Sequence, residues 1–155
     1  MGTQPLGRIA GIDYGTVRIG IAISDPAGSF ASPLENYTRR GEAADRARFR
    51  RLAVEEHLAR FVVGLPVHLD GSESAKSVEA RAFGGWLQEA TGVEVEFFDE
   101  RFTTHEAQVL LSGMQLSKKK RKARLDKLAA QIMLTAYLES KRAGGNPGQP
   151  QGLDD

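Results

Sequence analysis

Near the start of the chain two β-branched runs, RIAGID and RIGIAISD, flank a short glycine turn and predict an antiparallel hairpin. FASPLENY reads as a third strand, kept short by Pro33. From Glu42 to about Leu58 the pattern is helical, with Ala47, Leu52, Val54 and Leu58 spaced among arginines. RFVVGLPV is a nearly continuous apolar run closed by glycine and proline, as expected of a strand buried on both faces. Ser72 or Ser74 can cap a following helix that runs to about Ala90 and stops at Thr91-Gly92. VEVEFFDE is the next strand, and Thr103 or Thr104 can cap a helix through about Leu111. SGMQLSKKKRKAR reads as a polar, basic loop. After it, Leu125, Leu128, Ala129, Ile132, Met133, Ala136 and Tyr137 define the clearest amphipathic helix, ending near Leu138.

Strands that begin as a hairpin and then alternate with helices imply an α/β fold with a mixed sheet, antiparallel at first and then parallel. Functional groups in such sheets gather at the C-terminal ends of the parallel strands. Asp13 and the pair Asp99-Glu100 stand at strand ends of this kind, which places acidic groups on one rim. The reading is of one domain over residues 1–140, with a Gly/Pro/Gln-rich, disordered tail over 141–155.

Composition narrows the classes. A chain of 155 residues suits a single core. Lys and Arg number 21 against 20 Asp and Glu, so overall charge selects no partner and its distribution has to. With no cysteine there is neither a disulfide scaffold nor a thiolate metal site. MGTQPLGR lacks the apolar core of a signal peptide, and no stretch approaches ~18 uninterrupted apolar residues. The expectation is a cytoplasmic protein with no membrane partner.

The candidate chemistry is acidic. Asp13 ends an apolar strand, where turn formation and metal binding are equally good explanations. Asp99 and Glu100 end another strand, and alternation alone cannot choose between them. Asp126 lies on the shoulder of the last helix, where an interaction with the helix dipole would also account for it. Together these carboxylates, without a His or Cys cluster, suit a hard divalent cation such as Mg²⁺ or Mn²⁺. The histidines His57, His68 and His105 show no paired ligand spacing, which argues against zinc. Two ions ~3.5–4 Å apart could activate water and stabilise the leaving oxygen of a phosphodiester. KKKRK, Lys118 to Lys122, is the densest charge run and leads directly toward Asp126. It is either a solvated loop or an arm that contacts a nucleic-acid backbone.

With these residues assembled, the chain resembles the YqgF/RuvX family, the Holliday junction resolvases or pre-ribosomal-RNA nucleases of the ribonuclease H-like fold. The resemblance is carried by GIDYGTVRIGIAISD, VVGLPVHLDGSES, VEFFDERFTTHEA and LSKKKRKARLDKLAAQIMLTAYL, in that order from about Arg8 to Leu138. It implies a mixed five-stranded sheet flanked by helices and a metal-dependent endonuclease acting on structured nucleic acid. The implied acidic triad is Asp13, Glu100 and Asp126, binding two divalent ions, with Asp99 structural or supporting the metal ligands. Arg18 and Arg101 match basic positions of the motifs and are implied to face phosphate, together with Lys118, Lys119, Lys120, Arg121 and Lys122. The basic residue usual between Thr16 and Arg18 is Val17 here. The implied substrates are a ribosomal RNA precursor, with the ribosome as a partner, or a four-way DNA junction, whose symmetric cleavage calls for a homodimer. The reading from another class is a non-catalytic RNA- or ribosome-binding module of the same fold.

Overall fold

The computed structural model of the chain describes residues 7–103 and 117–142, and for Lys118 and residues 121–127 the backbone alone. Five strands form one mixed sheet: β1 (Arg8–Asp13), β2 (Arg18–Ser24), β3 (Ala31–Thr38), β4 (Leu58–Leu65) and β5 (Glu94–Asp99), ordered β3-β2-β1-β4-β5. The β1–β2 and β2–β3 pairs are antiparallel, and the β1–β4 and β4–β5 pairs are parallel. Helices α1 (Glu42–Glu55) and α2 (Ala75–Thr91) are the crossovers, and α3 (Lys118–Arg142) closes the described fold. This is the mixed α/β sheet that the element order implies.

Strand alternation sorts the side chains into two cores. Ala10, Ile12, Ile19, Ile21, Phe61, Val63 and Leu65 meet Phe49, Leu52, Phe83 and Leu87 on the α1/α2 side. Ile9, Ala22, Val62 and Phe98 meet Ala130, Met133, Leu134 and Tyr137 of α3 on the other. Gly11 makes the second contact close, because a Cβ there would run into Leu134 and the Ala130 carbonyl. No helix among the described residues is long and apolar enough to cross a membrane.

Ser74 caps α2 through a reciprocal pair of bonds with Ser77, and Gly92 ends it in the left-handed conformation, as the sequence predicts. Two expectations need correction. Helix α1 stops at Glu55, and Leu58 belongs to β4; His57, at φ 52°, turns the chain between them. Val54, expected on the buried face, is 74 % exposed, while Phe49, Leu52 and the carboxylate of Asp45 point inward. Asp45 is tolerated because it accepts from the Tyr37 hydroxyl, the Arg39 Nε and the Arg40 backbone N–H.

The second correction concerns the basic run, which is helix and not loop: α3 begins at Lys118, seven residues before Leu125. Lys and Arg are good helix formers, and the Ser117 hydroxyl accepts from the Lys120 N–H at 3.2 Å. Asp126 therefore sits more than two turns inside the helix, where a dipole interaction no longer accounts for it. Lys141 and Arg142, read as tail, close the same helix. The capped helix expected through Leu111 lies outside the described residues, apart from Thr103, which ends a 3-10 turn, and so does the rest of the tail.

Candidate active site

The site is assembled at the C-terminal rim of β1, β4 and β5, on the face covered by α3. Asp13, the last residue of β1, pairs with Gly20 of β2. A Cβ on Gly20 would touch both the Asp13 Cβ and the Ala130 Cβ of α3, which fixes the side on which Asp13 projects. Arg18 precedes Gly20 by two residues and therefore shares that face, exposed at the start of β2.

One step beyond the Ile12–Val63 pair, Asp13 and Gly64 are neighbours on β1 and β4. Strand β5 ends at Asp99, and the chain tightens into a 3-10 turn over Glu100–Thr103. The turn carries the Glu100 side chain back over the sheet, where its carboxylate lies directly on Gly64. Any side chain at position 64 would occupy the space that the carboxylate fills.

The electrostatics follow from this geometry. Burial, reinforced by the negative charges of Asp13 and Asp99, pushes the Glu100 carboxyl up to about 7, while Lys76 in the first turn of α2 opposes the shift. Asp99 behaves differently. Burial raises it, but hydrogen bonds from the Arg101 side chain and backbone outweigh burial and hold it below the usual carboxylate range. Arg101 Nε donates to both Asp99 oxygens at 3.1 and 2.9 Å, and its Nη1 donates to the Leu69 carbonyl. The choice that alternation leaves open is thus resolved in space: Glu100 stands with Asp13, and Asp99 binds Arg101.

A half-buried carboxylate whose proton affinity is raised by a second one beside it forms a site that a hard divalent cation would relieve. Among the described residues no group of three His, Cys, Asp or Glu side chains converges. The side chain of Asp126 lies outside that description, as do those of Lys118, Arg121 and Lys122; Lys119 and Lys120 are exposed. The backbone position of Asp126 is defined. It stands four residues, one helical turn, before Ala130, the residue of α3 that meets Gly20 beside Asp13. Sequence reading misses Gly64 and Gly20, whose role emerges only against residues from other elements. It also misses Lys76, whose one signal is its place just inside a capped helix.

Glu100 holds its proton more tightly in the folded chain, at about 7, than its ordinary value of 4.5. Between those values the folded state binds more protons, so its contribution is favourable below about pH 4.5 and is lost as pH rises through 7. In EDTA, wild-type stability minus that of Glu100→Gln is expected to fall by about 3 kcal/mol from pH 4.5 to pH 8. Urea midpoints of the two proteins measure it, and parallel pH curves would refute it.

A family model described as RuvX, Holliday junction resolvase, matches residues 7–140. A protein of Rhodopirellula baltica named "Putative pre-16S rRNA nuclease" is 47 % identical over 144 residues, covering 93 % of this chain and 83 % of the relative. One of the same name from Pelotomaculum thermopropionicum is 40 % identical over 151 residues, covering 93 % and 98 %. Among solved structures, T. thermophilus RuvC in complex with a Holliday junction substrate superposes with a TM-score of 0.56 at 12 % identity. That match covers 89 % of this chain and 96 % of the other and establishes the shared fold, the ribonuclease H-like architecture.

Proposed function

The chain belongs to the RuvX family, and on that premise we propose that it is an endonuclease hydrolysing phosphodiester bonds in structured nucleic acid, foremost the precursor of 16S ribosomal RNA. The observation that carries the reading is the Glu100 carboxylate laid on Gly64 beside Asp13. Two carboxylates brought together at a strand end repel each other, and a divalent cation would relieve that repulsion.

In this reading Asp13, Glu100 and Asp126 would hold two Mg²⁺ or Mn²⁺ ions. Bound there, such ions would supply Lewis acidity, lowering the pKa of water and screening phosphate charge. The chain's own residues do the rest. Gly64 leaves the space that lets Glu100 reach Asp13, and α3 delivers the position of Asp126. Arg18, on the same face, receives the phosphate backbone, and Lys118, Lys119, Lys120, Arg121 and Lys122 extend that contact along α3. Arg101, implied by the motifs as a further phosphate contact, is already engaged by Asp99 and the Leu69 carbonyl, so in this reading it shapes the rim beside Glu100 and leaves phosphate to Arg18 and α3. Maturation of ribosomal RNA makes the ribosome-bound precursor the partner and the cytoplasm the place of action. The family description and the shared fold favour the four-way DNA junction as the second substrate, and on that branch two copies of the chain act together.

The test is cleavage of both end-labelled substrates side by side, with Mn²⁺, Mg²⁺ or EDTA. Metal-dependent cutting of the RNA precursor at the faster rate supports the first substrate, and faster cutting of the junction reverses the order. Binding without cutting in every metal would replace this reading with the non-catalytic RNA-binding module. Neutralising Lys118, Lys119 and Lys120 to Gln is expected to weaken binding and to flatten the log–log salt dependence, by roughly one unit for each phosphate that is no longer neutralised. Titrations at three or more salt concentrations measure the slope, and an unchanged slope removes the basic run from the interface.

A further inference from the structure

At the strand end that leads into Glu100, a cavity of about 340 Å³ opens between the end of β5, the 3-10 turn and the connection that leads into α2; Asp99 and Arg101, the chain neighbours of Glu100, are part of its lining. Leu65, Val67, Phe97 and Phe102 form its apolar walls, and Arg81 and Arg101 line it as cations. Both cations are already paired, Arg81 with Glu73 at 3.0 Å and Arg101 with Asp99. The opening is therefore nearly neutral and presents hydrogen-bond donors and acceptors side by side. The Arg81 guanidinium also lies over the Phe97 ring, 5.5 Å from its centroid.

Two apolar side chains are held in water at this rim. Phe102 is 44 % exposed, two residues after Glu100, and Leu69 is 93 % exposed, with its carbonyl bound by Arg101. A phosphate is a poor occupant, because each cation is already engaged by a carboxylate. A flat, uncharged heterocycle with its own donors and acceptors matches aromatic walls and a balanced opening.

We propose that this cavity seats a nucleobase taken out of its stack, from the strand whose phosphate lies at Asp13 and Glu100. The proposal deepens the nuclease reading and rests on it. It narrows the substrate to strands that are unpaired or branched at the cut, where lifting a base out is least costly, and it disfavours continuous duplex.

The experiment places 2-aminopurine, and separately an abasic site, at each nucleotide of the branch region of a four-way junction and of the single-stranded end of a ribosomal RNA precursor. Wild type, Phe102→Ala and Phe102→Tyr are compared, by fluorescence on binding in Ca²⁺ and by cleavage in Mn²⁺. The expected result is one position whose fluorescence changes with wild type and Phe102→Tyr but not with Phe102→Ala. An abasic site there lowers wild-type cleavage on the order of tenfold and leaves Phe102→Ala little affected. If abasic sites cost wild type and Phe102→Ala equally at every position, and no fluorescence change depends on Phe102, the cavity holds no base. A protein that cuts neither substrate in Mn²⁺ would overturn the nuclease reading instead, while the fluorescence comparison still decides the base seat.

Discussion

Asp13→Asn is expected to lower metal-dependent cleavage roughly a thousandfold, about 4 kcal/mol of transition-state stabilisation, while leaving the fold and nucleic-acid binding intact. Asn has almost the volume of Asp, so the contact of position 13 with Gly20 and the approach of Ala130 persist. The substitution removes one of the two charges that raise the proton affinity of Glu100. The metal-free variant should therefore melt no lower than wild type, and at pH 8 it should melt higher, because the Asp13–Glu100 repulsion is gone. Binding of uncut substrate in EDTA should change little, since Arg18 and the α3 lysines are untouched. The pattern expected is thus a large fall in kcat with KM and Tm held or improved. A merely structural Asp13 would produce the reverse, reduced stability with activity falling in proportion. Retained cleavage by Asp13→Asn, in a preparation free of contaminating nuclease, would remove Asp13 from the site.

The outline of this site is legible in the sequence because its parts obey local rules. The hairpin announces itself by two β-branched runs and a glycine turn, β4 by its apolar run, and α2 by a capping serine and a terminal glycine. Those signals place Asp13 and the Asp99-Glu100 pair on one rim before any coordinate is known. What stays hidden depends on contacts between elements. Glu100, and not Asp99, joins Asp13 because the chain leaves β5 through a 3-10 turn, so that simple strand alternation ends one residue too early to decide. The basic run misleads because like charges suggest repulsion, whereas helix propensity and the Ser117 hydroxyl carry α3 through it. Val54 misleads because helical spacing names a stripe but not which stripe faces the sheet, and in α1 it is Phe49 and Leu52 that do. Arg101 looks like a free cation in the sequence, and in space it is bound on two sides by Asp99 and the Leu69 carbonyl.

Gly64→Ala separates the site from the fold most sharply, and cleavage is expected to fall on the order of a hundredfold with little change in Tm. Gly64 lies in β4, outside the positive-φ positions, so alanine meets no backbone strain there. An interior strand glycine is weaker than alanine by roughly 0.5–1 kcal/mol, which offsets part of any packing loss. Among the described residues, the group a new Cβ would overlap is the Glu100 carboxylate, the far end of a flexible side chain. The side chain can swing away at small cost to stability, and the loss falls on the placement of the carboxylate beside Asp13. Gly11→Ala is the contrasting control. Its Cβ would meet the Leu134 Cβ and the Ala130 carbonyl, which belong to a packed helix, so Tm should fall along with activity. A second substitution tests the cause directly. Shortening the acid in Gly64→Ala/Glu100→Asp makes room for the added methyl, so the double variant should cleave better than Gly64→Ala alone, although Glu100→Asp by itself is harmful. Purely additive losses in this cycle, measured as kcat in Mn²⁺, would mean that Glu100 does not act from its seat on Gly64.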